Sequence, residues 1–266
     1  MKIDKNRVLA KFKCYTDGYD TTNIKVRLKI DHTYRVAGLC RQIAQSENMS
    51  AEEQDLAWLL GMLHDIGRFE QLRRYNTFMD AESVDHAALG ADILFQDCMT
   101  SEKSNNSRQE IRDYVEDDSE DYLIETAIRQ HNVYRINDNL DQRTQMFCNI
   151  LRDADKIDIF RVCAETPMED IYNTTREELY SSDVSDKVME SFFEHHATLR
   201  SIRRTVVDQL VGHISLVYEL VFAASRAIAY EQGYLQTLMN FESESENTRA
   251  CFELIRKEVK SYVNIS

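Results

Sequence analysis

The stretch Ser50 to Arg68, SAEEQDLAWLLGMLHDIGR, constrains this chain more than any other. Ser50 and Glu53 stand at capping-box spacing, and Leu56, Leu60 and Leu63 then recur at helical intervals. The spacing predicts a helix from Ala51 to Asp65, with Gly67 as its stop signal. Such a helix lines one face with apolar residues and offers an imidazole and a carboxylate side by side at its end. His64 and Asp65 are therefore candidate metal ligands, provided that other ligands reach the same end of the helix.

Little in the rest of the chain interrupts a helix. One proline and seven glycines are spread over 266 residues, and β-branched alternation is scarce, which predicts an all-α protein. The length suits one large domain or two small ones, and a hydrophobic content of 43% can fill a sizeable core. A formal net charge of −14 argues against broad nucleic-acid binding, which needs a concentrated basic surface. It leaves room for a small phosphorylated substrate at a locally positive site. The six cysteines show no CxxC spacing and read as reduced, mostly buried thiols, as expected of a cytoplasmic protein. The N-terminal MKIDKNRVLAKFKCYTDG lacks the apolar core of a signal peptide. The most apolar late stretch, His213 to Ala229, includes Glu219 and Arg226 and falls short of the ~20 residues of a membrane span, so no membrane anchor is expected.

Taken in order, the chain predicts a turn around Asp17-Gly18 and then a helix capped by Asp31. Val36, Leu39, Cys40 and Ile43 form its buried stripe, with His32 at its start. The short ENMS turn makes it antiparallel to the helix 51–65, which sets His32 beside His64. A polar, basic loop with Arg68, Arg73 and Arg74 leads to a third helix, Ser83 to Cys98, with His86 in its first turn and Leu89, Ile93 and Leu94 on the same side. Residues 100–110 form a polar break, and the acidic run 116–121 reads as a solvated loop or helix start. A fourth helix from Asp121 ends at His131-Asn132. A fifth, from Asp141, aligns Phe147, Cys148, Leu151 and Ile159 with Asp155, a carboxylate that is costly there unless paired or bound to metal. Short pieces at 165–188, a long helix from Asp186 to Gln232 with room for one break, and a last helix, Ala250 to Val263, complete the chain.

Five positions thus offer ligands: His32, His64-Asp65, His86, His131 and Asp155. Helix alternation brings at least the first four to one end of a bundle. A single histidine on an apolar face is usually a hydrogen-bonded core residue, but four on inward faces with two aspartates favour a metal site. Nitrogen and carboxylate ligands without thiolates suit iron, manganese, zinc or similar divalent ions.

The order H…HD…H…H…D resembles the HD-domain superfamily of metal-dependent phosphohydrolases, and the strings DHTYRVA, LHDIGRFEQ, DHAALG, IRQHN and RDADKID are typical of it in form. The resemblance covers about residues 28–160 and is weaker beyond. It implies a helical bundle that forms a single domain over 1–266, with its core at about 28–160 and a C-terminal helical extension at about 161–266. It also implies that His32, His64, Asp65 and Asp155 hold one metal, while Asp65 bridges to a second held by His86 and His131. The two extra histidines are similar to those of two-metal members such as the diadenosine tetraphosphatases and the HD-type phosphodiesterases. The implied ions are Fe, Mn, Zn, Co, Ni or Mg.

The GYP signature and second adjacent histidine of the cyclic-di-GMP branch are absent, as is the acidic pair that follows HD in the alarmone hydrolases. The implied reaction is hydrolysis of a nucleotide or another small phosphate ester or anhydride by a metal-activated water. Two divalent cations against two aspartates leave a local charge of about +2, which attracts phosphate within an acidic chain. The implied partner is that small phosphorylated substrate, and a homodimer is among the assemblies to expect. Two other readings stay open: a one-metal phosphatase in which His86 and His131 bind phosphate, and a catalytically silent ligand-binding or signalling module with the same fold.

Asp65, Arg68 and Lys156 are the candidate catalytic residues. Arg68 and Lys156 are placed either to hold a substrate phosphate or to make structural ion pairs. Arg73 and Arg74 read as solvated loop residues with a weaker claim on substrate, and Glu70 as a candidate acid or base. Asp158 either orients a ligand or makes a simple polar contact. His195 and His196 read as surface residues, His213 as a core residue of the long helix, and the cluster at 200–204 as a solvated helix face.

Overall fold

The computed structural model describes residues 1–95 and 110–263, and every regular element among them is a helix. The chain forms two compact units, Met1–Ala154 and Asp155–Ser266.

The first unit is built on a helical hairpin, α2 (Ile24–Ser46) and α3 (Ala51–Leu63), preceded by α1 (Lys5–Thr16). Ser50 and Glu53 make the predicted reciprocal capping box at the start of α3. α2 begins earlier than predicted, because Asn23 is its cap and accepts from the Lys25 amide at 2.9 Å. Asp31 is an exposed residue within α2, and His32 lies mid-helix rather than at a helix start. His32 still meets His64 because the register of a hairpin is counted from its turn. His32 lies 14 residues before the end of α2 and His64 13 residues after the start of α3, so helices that rise about 1.5 Å per residue bring them level. Gly61 allows the close crossing, since a Cβ there would lie 2.5 Å from Ala37 Cα.

Gly67 does not stop a helix. The chain breaks at His64-Asp65 and restarts at once as α4 (Ile66–Tyr75), so Arg68, Arg73 and Arg74 are helical rather than part of a loop. The glycine is needed for proximity to α5 (His86–Phe95): a Cβ at position 67 would lie 2.2 Å from the His86 carbonyl oxygen and 2.6 Å from Gly90 N. Asn76, with φ 55°, ends α4. The N-terminal residues also find a role. The rings of Phe12, Tyr15 and Tyr19 lie 6.0, 5.8 and 5.6 Å from that of Phe69, and Tyr15 Oη donates to the Ile66 carbonyl at 3.0 Å. This aromatic cluster anchors α4 directly after Asp65.

α5 starts three residues later than predicted, where Asp85 accepts from the Ala87 and Ala88 amides at 2.9 and 3.1 Å. Its buried residues are His86, Ala87, Gly90, Ala91 and Leu94, while Leu89 and Ile93 are only half-buried. Small residues line this face because α4 comes so close. The expected helix end at Cys98 and nearly all of the polar break 100–110 lie outside the described residues. α6 (Ile111–Tyr114) precedes a largely exposed acidic bend, and α7 (Asp121–Gln130) ends on His131 as predicted. α8 (Gln142–Glu165) continues unbroken through the unit boundary.

In the second unit the expected long helix is several helices. After α9 (Met168–Tyr172) and α10 (Arg176–Ser181) come α11 (Asp186–Phe193), α12 (Val206–Ile214) and α13 (Ala223–Glu231), then α14 (Tyr234–Met239) and α15 (Glu246–Val263). His195, with φ 58°, follows the end of α11. Thr205 and Asp208 open α12 with a capping box. The buried Asp208 carboxylate also accepts from Ser185 N and Oγ at 2.9 and 2.6 Å, tying the start of α11 to that of α12. The apolar period persisted across these breaks because each short helix presents its own apolar face.

Of the five described cysteines, Cys40, Cys148 and Cys163 are buried and Cys14 is exposed. Among the described residues no helix is long and apolar enough to cross a membrane.

His213 on α12 stacks on Tyr172 and places Nδ1 3.0 Å from the Tyr172 hydroxyl and 3.4 Å from Cys163 Sγ. Burial, with the Arg203 and Arg200 charges, lowers its pKa to about 3. The unfolded chain therefore binds more protons at this site below the ordinary histidine value, so the contribution to stability is complete above about pH 6.5 and is lost as pH falls toward 3. Urea unfolding at pH 7 and pH 5 should show the loss, with a slope from this group of at most about 1.4 kcal/mol per pH unit. The His213→Gln variant should show a flatter profile than the parent.

Candidate metal centre

Three of the expected histidines have their ring orientation set by the backbone or a carboxylate. His64 follows the last residue of α3 and His131 that of α7; their Nδ1 atoms lie 2.8 Å from the Gly61 carbonyl and 2.7 Å from the Ile128 carbonyl. A carbonyl only accepts, so each Nδ1 carries the proton and each Nε2 presents a lone pair. His86 Nδ1 is 2.7 Å from Asp80 Oδ2 and is the donor there too. The Nε2 atoms of His86 and His131 then face each other at 3.0 Å. Two opposed lone pairs at this distance repel unless a cation lies against both, and imidazole donors suit a divalent metal.

Asp65 occupies the break between α3 and α4 and is 2% exposed. Its Oδ2 lies 3.6 Å from His32 Nε2 and 3.5 Å from His64 Nε2. Oδ1 lies 3.5 Å from His86 Nε2 and 3.7 Å from His131 Nε2. Each carboxylate oxygen therefore addresses a different pair of histidines. Burial by itself raises the pKa of this carboxyl, but the Lys29 ammonium, 2.7 Å from Oδ2 and the largest opposing influence, helps hold the group well below the ordinary carboxylate range. His64, Asp65 and His131 bring ligand atoms within 4.8 Å of one another, a spacing that a single ion can span.

Lys29 was not among the residues singled out from the sequence. Its Nζ lies 2.7 Å from Asp65 Oδ2, and its only signal in the sequence is the three-residue spacing that puts it on the His32 face of α2. Asp80 was missed as well. It receives Arg68 Nη1 and Gln71 Nε2, both at 2.8 Å, on Oδ1, and Asn132 Nδ2 at 3.3 Å on Oδ2. Burial opposes ionisation of Asp80, but His86 and Arg68 more than compensate and keep it ionised far below the usual range. Burial lowers the His86 pKa to about 4 despite the opposing pull of Asp80, so the ring is a neutral imidazole at physiological pH. Partners that orient a ligating histidine typically change metal affinity 10- to 100-fold. Asp80→Ala is accordingly expected to weaken divalent-ion binding by about 10- to 100-fold, measurable by chelator competition.

A third group outside the expected set is the buried Arg152 on α8. It donates to the carbonyls of Gln130 (3.0 Å), His131 (3.3 Å) and Tyr134 (3.3 Å). It satisfies carbonyls left open at the end of α7 and so fixes the chain around His131.

The remaining expected residues are placed as follows. Asp155 is half-buried on α8 as the first residue of the second unit, with Lys156 buried next to it. Arg68 Nη1 donates to Asp80, Gln71 and the Phe78 carbonyl, while its buried Nε lies 3.7 Å from Asp65 Oδ1 without a hydrogen-bond partner. Asp158 is buried in a two-point ion pair with Arg161, at 2.7 and 2.8 Å. Glu70 is buried between Arg73 and Arg74 and accepts from Tyr19 Oη, which ties it to the aromatic cluster. His196 is exposed, and His195 pairs with Glu258 at 2.8 Å. The 200–204 cluster is not a helix face: Arg200–Ile202 is a 3-10 turn, and Arg203 folds onto Gly212 and donates to the Thr198 carbonyl at 2.6 Å.

No curated protein and no solved structure gives a significant match to the chain. The family model of the HD domain matches residues 30–208, more than half of the sequence. That span begins two residues before His32 and contains every histidine and aspartate of the ligand pattern. The chain belongs to the HD-domain family, a superfamily of metal-dependent phosphohydrolases.

Proposed function

We propose that this protein is a two-metal phosphohydrolase that acts on a nucleotide or another small phosphate ester or anhydride. The observation that carries this reading is the Asp65 carboxylate, one oxygen toward His32 and His64 and the other toward His86 and His131. In the proposed site His32, His64 and Asp65 hold one ion, with Asp155 as the ligand that the family pattern adds. His86, His131 and Asp65 hold the second. Divalent ions in such a site supply Lewis-acid activation of water and neutralise charge at phosphorus.

The chain's own groups prepare that chemistry. Protons held on Nδ1 by the Gly61 and Ile128 carbonyls and by Asp80 keep the Nε2 atoms of His64, His131 and His86 available as ligands. Burial of Asp65 and the histidines limits competition from bulk water. Arg68, through Nε, and Lys156 are the proposed cations for substrate phosphate.

The test is a panel of nucleotides and generic phosphoesters assayed with Mn, Fe, Co, Ni, Zn and Mg, together with metal analysis of the replete protein. Two ions per chain and turnover abolished in Asp65→Ala are expected. One ion per chain would replace this reading with a one-metal phosphatase. Absence of turnover with every metal, or turnover unchanged in Asp65→Ala, would leave a ligand-binding module.

A further inference from the structure

We infer that Lys29 is an exchangeable cation of the metal centre: its ammonium neutralises Asp65 when no divalent ion is bound, and it is released to hold substrate phosphate when one is. The inference rests on the two-metal reading, specifically on the pocket formed by His32, His64 and Asp65.

Lys29 Nζ lies 2.7 Å from Asp65 Oδ2, the oxygen that His32 Nε2 and His64 Nε2 face at 3.6 and 3.5 Å. An ion ligated by those three atoms and an ammonium hydrogen-bonded to the same oxygen are two cations drawn to one carboxylate, and at such separations in a buried site they repel strongly. One must yield. The ligand histidines are held by the helices that carry them, and His64 also by its bond to the Gly61 carbonyl, whereas lysine carries a compact charge on a flexible four-carbon stem.

Lys29 also has somewhere to go. Its side chain keeps 16% of its exposure, so it is not sealed in. The ammonium lies 5.5 Å from the centre of the Phe78 ring, and the Arg68 guanidinium lies 5.8 Å from the same ring. An aromatic face can support a cation that has left a carboxylate. Lys29 and Arg68 thus border Asp65 from its two oxygens, one near Oδ2 and the other near Oδ1, and a phosphate drawn to the centre would meet a positive group on either side. In this arrangement a single lysine tunes metal affinity downward and substrate affinity upward.

Lys29→Met and Lys29→Arg test the inference, with circular dichroism as a check that each variant is folded. In chelator competition with Mn2+, the metal-free Lys29→Met protein should bind the ion about tenfold more tightly than the parent, whereas Lys29→Arg should stay close to the parent. In calorimetric titration of the Mn-loaded proteins with inorganic phosphate, Lys29→Met should bind about tenfold more weakly and Lys29→Arg should retain binding. Unchanged or weaker Mn2+ binding by Lys29→Met would overturn the exchange. Tighter Mn2+ binding with unchanged phosphate affinity would overturn the role in holding phosphate. The parent protein separates the two levels of failure: if it binds no divalent ion, the two-metal function itself falls and the Lys29 inference with it.

Discussion

Asp65→Asn is expected to remove bound metal from both histidine pairs and to lower phosphohydrolase turnover by about three orders of magnitude or more, equivalent to about 4 kcal/mol of barrier. The amide keeps the size and shape of the side chain, so the packing between α3 and α4 is preserved. What is lost is the negative charge that the site is arranged to maintain. The carboxyl is held ionised beside the Lys29 ammonium although it is buried, and both of its oxygens face histidine Nε2 atoms. A neutral amide offers one weak oxygen donor on one side and an N–H on the other, which cannot ligate a cation. Elemental analysis after loading, alongside steady-state kinetics, checks the expectation. Retention of two ions per chain in the variant would show that Asp65 is not shared between the pairs. Substitution of any one histidine is expected to act mainly on its own pair, so the difference between the aspartate and histidine variants reports on bridging.

Gly67→Ala is expected to be the most damaging conservative change in the first unit. The added methyl would meet the His86 carbonyl oxygen at 2.2 Å and Gly90 N at 2.6 Å. Both are backbone atoms of α5 and cannot rotate away as a side chain would. Overpacking of this kind costs about 1–3 kcal/mol and occasionally more, and a contact against backbone belongs at the upper end. For a protein of this size about 3 kcal/mol corresponds to a melting temperature lower by roughly 6–12 °C. Separation of α4 from α5 would also carry His86 away from Asp65, so metal affinity should fall together with stability. Gly38→Ala is the matched control. It lies within α2, where an added Cβ meets nothing within 4 Å, and is expected to stabilise by up to about 1 kcal/mol through helix propensity. Thermal unfolding of the two variants beside the parent distinguishes a steric requirement at position 67 from a general effect of replacing glycine.

The helical class, the capping box at Ser50 and the end of α7 at His131 were legible because each depends on residues close together in the chain. Periodicity and caps are local, and the position of His64 at a helix end follows from them. The hairpin register was legible too, although for a different reason from the one first apparent: the cap at Asp31 was wrong, yet the count from the turn still paired His32 with His64. The long helix expected from Asp186 was misread because an apolar period runs across breaks that no proline or glycine marks.

Tertiary structure decided the rest. Gly67 carries the same local signal whether it ends a helix or lets two helices touch, and only the approach of α5 distinguishes the two. Lys29 is separated from Asp65 by 36 positions, and Arg152 from the Gln130 and His131 carbonyls by more than 20. Asp80 is near His86 in sequence, but it is aimed by Arg68 and Gln71 from the preceding helix. The sequence by itself determined which residues have the chemistry to be ligands and which helices carry them. Which oxygen of Asp65 faces which histidines, which cation neutralises it and which groups hold the rings in place depend on contacts between helices far apart in the chain, and those exist only once the helices have packed.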